Sequence, residues 1–192
     1  MAATTRSDHI ARIQGFLDAF SALTSHADQT ITHEFDELQT QPTLQLALLR
    51  RFLLDGEEAT QSDAASAFAL TPIPLPEWKA SIGSLARKWF FAAQTWGNAP
   101  QPLGTALATL LADDSPDHWY IDSVVDHFLK PLDALFSDGL CAIHRVEMRQ
   151  LGATLIQDFE TRPGHTRLSL CWDAYTFEAD DRRFILSWEL DD

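Results

Sequence analysis

His118, Asp122 and Asp126 recur at i, i+4 and i+8. In a helix that spacing lines one nitrogen and two oxygen ligands along a single face, a pattern that suits a hard divalent cation. A helical metal site ordinarily draws ligands from facing helices as well. The same three residues also describe a solvated acidic face with a histidine near the helix end. The pair His33-Glu34 opens like a zinc-protease motif, but position 37 is Glu, so two imidazoles one turn apart are absent. Asp126 and His127 are chain neighbours, and their side chains diverge on a helix, so they cannot form the Asp–His half of a catalytic triad.

The remaining catalytic signatures are missing. There is no G-x-S-x-G, no G-x-G-x-x-G and no GxxxxGK[ST], and the chain has only 8 Gly from which a phosphate-cradling loop could be built. Cys141 and Cys171 lie far apart in the chain with no CxxC and no neighbouring Cys/His cluster, and both read as small buried hydrophobes. No cofactor is expected, and the weight falls against an enzyme.

Charge is the more informative property. The net charge is −14, and it is uneven: residues 1–100 hold 11 acids against 7 bases, residues 101–192 hold 17 against 7. Such a field repels nucleic acid and anionic membrane and steers basic partners inward. The basic pairs Arg50-Arg51, Arg87-Lys88 and Arg182-Arg183 each sit near acids, and Arg182-Arg183 is expected to pair across a hairpin with Glu178, Asp180 or Asp181. Aromatics concentrate at Trp119-Tyr120 and from Trp172 to Phe177. Most should be core. Any exposed remainder, rimmed by carboxylates, has the make-up of a protein-binding surface. The candidate partner-binding residues are therefore Asp113, Asp114, Asp117, Trp119, Tyr120, Asp173, Tyr175, Glu178, Asp180 and Asp181.

The elements that must position these residues are read from periodicity. Ile10, Ile13, Phe16, Leu17, Phe20 and Leu23 recur at three and four, one face of a helix that Ser7 can cap. Helices are also expected over Thr32–Leu38, Thr43–Leu54, Glu77–Trp96 and Leu103–Leu111. Another is opened by Ser115-Pro116-Asp117 and bent or split near Pro131. Residues 57–76, with Pro72, Pro74 and Pro76 alternating, read as an extended polyproline-like loop. Residues 140–159 suit helix or strand. In Thr166–Asp173 and Phe184–Leu190 apolar residues alternate, Tyr175 and Phe177 form a third alternating piece, and Glu178–Asp181 is a turn between strands.

These readings predict one α+β domain over residues 1–192. A mostly helical N-terminal two-thirds would pack with a small C-terminal antiparallel sheet of about three strands. No apolar run approaches the ~18 residues of a membrane span, and the start lacks a basic segment followed by an apolar one, so a cytoplasmic setting is expected. Three functions fit. The first is an acidic binding module, of the bacterial immunity or antitoxin type, that neutralises a basic secreted toxin. The others are a metal-dependent or ligand-binding enzyme using His118, Asp122 and Asp126, and an oligomeric scaffold associating through its helical half.

Overall fold

The computed structural model describes residues 5–24, 30–52, 60–92, 119–137, 139–148 and 171–191. The chain divides into two compact units, each assembled from two chain segments: residues 1–25 with 74–138, and residues 26–73 with 139–192.

The first unit is helical. Helix α1 spans Arg6–Thr24. Its cap is Thr5, not Ser7: Thr5 Oγ1 accepts from the Asp8 amide at 3.3 Å, and the Asp8 carboxylate accepts from the Thr5 amide at 2.7 Å. This reciprocal box satisfies two amides that the helix start leaves without partners, which a lone Ser7 two residues further in could not do. Ile13 and Leu17 are fully buried, and Phe16 stacks on Phe20 with ring centroids 4.9 Å apart. A 3₁₀ turn at Leu75–Glu77 leads into helix α4, Trp78–Arg87, which continues as a π-helical turn over Lys88–Ala92. Helix α5, Trp119–Phe136, runs unbroken through Pro131. Its buried residues Ile121, Val125, Phe128, Leu132 and Leu135 form one apolar stripe. Both α1 and α4 pack on α5. Phe90 meets Phe128 edge to face at 5.3 Å, a geometry favoured by the ring quadrupole. At Gly83, α4 lies close to α5: a Cβ there would make ordinary contact with Val125 and Leu129 at 3.4 Å.

The second unit is built on an antiparallel sheet of five strands, where about three were expected. The strands are β1 (Thr30–Glu37), β2 (Phe68–Pro72), β3 (Leu140–Met148), β4 (Cys171–Ala179) and β5 (Arg182–Asp191), in the order β1-β5-β4-β3-β2. Two of the five come from the first half of the chain, so strands interleave with helices there instead of following a helical N-terminal two-thirds. Residues Thr32–Leu38, expected to be helical, are mostly strand. Ile31, His33 and Phe35 are buried while Thr32, Glu34 and Asp36 are not, which is a period of two. The expected loop over 57–76 contains helix α3 (Gln61–Ala67) and strand β2, and Pro74 keeps a polyproline-like backbone, φ −57° and ψ 130°, before the 3₁₀ turn. A Thr60/Asp63 capping box starts α3, and its hydrogen bonds hold the Asp63 carboxyl below its ordinary pKa. Tyr175 and Phe177 belong to the same strand as Cys171 rather than to a third one. The helix expected from Ser115 is α5, and only its first residues, 115–118, lie outside the described residues, as do the helix expected at 103–111 and residues 149–159.

Cross-strand register sorts the sheet into two faces. One carries Ile31, His33, Phe35, Ile143, Tyr175, Phe177, Phe184, Leu186 and Trp188. The other carries Phe68, Val146, Ala174 and Ile185, covered by Leu44, Leu48 and Leu49 of helix α2 (Leu44–Phe52) and by Ala64 and Ala67 of α3. Phe35 stacks on Phe184 at 5.6 Å. Each such side chain removed from water contributes roughly 1.5–3 kcal/mol. Among the described residues, no helix is long and apolar enough to cross a membrane.

Candidate functional site

The β4–β5 hairpin carries the acids that sequence placed at a turn. Its strands pair from Cys171 opposite Leu190 to Ala179 opposite Arg182, leaving Asp180 and Asp181 as the tip. Asp180 adopts φ 55°, a left-handed conformation that Asp tolerates better than most residues. Its amide donates to the Gly139 carbonyl at 3.1 Å. Gly139 has φ 101°, a conformation that strains any side chain, and a Cβ there would lie 2.4 Å from Asp180 Oδ1, so the carboxylate would have to move. The start of β3 therefore braces the tip, and both tip residues are exposed.

Behind the tip the charges are neutralised in pairs. Arg183 Nε donates to Glu178 at 3.1 Å, and Arg183 Nη1 donates to the Gln41 carbonyl at 2.7 Å. Arg182 reaches Glu37 of β1 at 3.1 Å rather than an acid of its own hairpin. His144 Nδ1 lies 3.9 Å from Glu178. On β1, Arg51 of α2 is held by Glu34 and by Asp36, the latter at 2.7 Å. Burial opposes the charge on Arg51, but the two carboxylates outweigh it and raise its pKa.

The other candidates are dispersed. Asp173 and Tyr175 sit on β4 with nearly all their surface covered. Arg145 lies 3.5 Å from Asp173, and burial pushes the Tyr175 hydroxyl pKa up. They offer little area to a partner. Trp119 and Tyr120 form the first turn of α5. Asp113, Asp114, Asp117 and His118 lie outside the described residues. Of the proposed metal ligands, Asp122 is engaged by Arg87 and Asp126 is exposed beside it. Among the described residues no three His, Cys, Asp or Glu side chains converge in a metal-binding group. Cys141 is exposed, contrary to its reading as a buried hydrophobe, because it stands at the irregularity where β3 departs from register with β4.

Among the described residues, the arrangement offers a carboxylate surface. Asp18, Glu77, Asp126, Glu147 and Asp181 are exposed, and none is in an ion pair among the described residues. Sequence reasoning singled out only Asp126 and Asp181 of these. The others lacked any motif, and their excess appears only once the basic residues have been assigned to partners.

No protein family and no curated protein sequence matches the chain. Two crystal structures of citrus MAF1 resemble it weakly. One is 12% identical with a TM-score of 0.47, the other 13% identical with a TM-score of 0.37, and each comparison covers 95% of this chain and 98% of that one. Likeness at this level assigns neither family nor function.

Proposed function

We propose that this chain is a binding protein whose acidic surface docks a basic protein partner, and that it acts as an inhibitor of the immunity or antitoxin type, capping the basic cleft of a toxin. One observation carries the reading. The cations Arg51, Lys79, Arg87, Arg145, Arg182 and Arg183 are each occupied by carboxylates of the same molecule. In a chain of net charge −14, the surplus left over is surface carboxylate. Electrostatic steering of a basic partner onto such a surface raises the association rate more than it deepens the final complex.

The test is capture from the native host's lysate at low salt, elution with a salt gradient, and reconstitution with the captured partner. One stoichiometric basic protein, released by salt and losing its own activity when the chain is added back, is the expected result. Recovery of the bait alone, or of a partner whose activity the chain leaves untouched, would overturn the inhibitor reading.

A further inference from the structure

In the helical unit, α4 and α5 run antiparallel and leave an open groove of about 780 Å³ between them. Its floor is Gly83 against Val125 and Leu129. An ion pair closes each end: Lys79 with Asp133 at 2.6 Å, and Arg87 with Asp122. Two further charged groups line it, Asp126 and Lys130, both exposed and neither in an ion pair among the described residues. The groove thus balances Lys79, Arg87 and Lys130 against Asp122, Asp126 and Asp133. In a strongly acidic chain, this neutral patch is where an equally acidic molecule meets the least repulsion.

We propose that the groove receives a second copy of this chain across a two-fold axis. The unused charges choose the occupant. Asp126 and Lys130 are opposite in sign and one helical turn apart on α5. A two-fold axis perpendicular to α5 at the level of Phe128 sets Asp126 of one copy opposite Lys130 of the other, and the reverse. That is the self-complementarity an isologous interface requires. A uniformly basic partner would gain nothing from a lining that already holds as many cations as anions. The acidic docking surface proposed above is a separate claim: it shares Asp126 with this groove but stands on Asp18, Glu77, Glu147 and Asp181 without it, so either can fail without the other.

Light scattering of the full chain across the micromolar to hundred-micromolar range tests this, with Asp126→Lys and Lys130→Asp made separately. Both positions are exposed, and circular dichroism confirms that each variant is folded. The wild type should be a dimer. Each single variant should be a monomer, because like charges then face each other across the axis. An equimolar mixture of the two variants should recover the dimer, since one copy brings two lysines and the other two aspartates. Pairing within one helix cannot produce that rescue. A monomeric wild type, single variants that remain dimeric, or a mixture that stays monomeric would each overturn the proposal.

Discussion

Replacing His33 should change how stability responds to mild acid. His33 is 2% exposed, stands between Ile31 and Phe35 on one face of β1, and pairs across the sheet with Trp188. Burial lowers its pKa from 6.5 to about 4, against a smaller opposing contribution from the Thr32 backbone. The unfolded chain therefore binds a proton that the folded chain refuses, so the stability present above pH 6.5 is lost as pH falls towards 4 and levels off below it. For that displacement the loss from pH 8 to pH 5 is about 2 kcal/mol, reaching about 3 kcal/mol once both states are protonated. Urea unfolding followed by tryptophan fluorescence, at several pH values, measures it. His33→Phe removes the titrating group and leaves every carboxylate in place. The wild type should lose about 2 kcal/mol more than His33→Phe between pH 8 and pH 5. Parallel losses in the two proteins would refute the assignment of a buried neutral imidazole.

Three further substitutions probe the fold that carries the acidic tip. Thr176→Val should be neutral or stabilising by up to about 1 kcal/mol in urea unfolding, because Thr176 Oγ1 is buried without a hydrogen-bond partner. Gly139→Ala should cost about 1–3 kcal/mol, because it places a side chain at φ 101° and against Asp180; thermal melting reads it. Phe177→Ala empties a fully buried site beside Phe35 and should cost about 3–5 kcal/mol by the same denaturant assay.

Sequence exposed the elements whose apolar pattern is undiluted. In α1, Ile13, Phe16, Leu17 and Phe20 hold the helical spacing without interruption, and in β5, Phe184, Leu186 and Trp188 hold the alternating one. The strand β1 was hidden because its middle core position is His33, a polar residue that breaks the apolar alternation of Ile31 and Phe35. The strand β2 was hidden because Phe68 and Leu70 are its only large apolar residues, between an Ala/Ser-rich helix and a run of prolines. The site was half legible for a related reason. Asp180 and Asp181 stand at a turn between alternating strands and must reach solvent. Asp173 and Tyr175 lie in a central strand covered on both faces, and strand parity alone cannot say which faces are covered. The ion pair of Arg182 with Glu37 joins residues far apart in the chain, beyond the reach of any local pattern.

The acidic-docking reading turns on how association responds to salt. The measurement is the association rate constant with the captured partner by stopped-flow fluorescence over a range of ionic strength, for the wild type and for Asp181→Lys. The account predicts that the wild-type rate falls steeply with salt. It also predicts that Asp181→Lys slows association and flattens that dependence while dissociation barely moves. A wild-type association rate that ignores salt would contradict it.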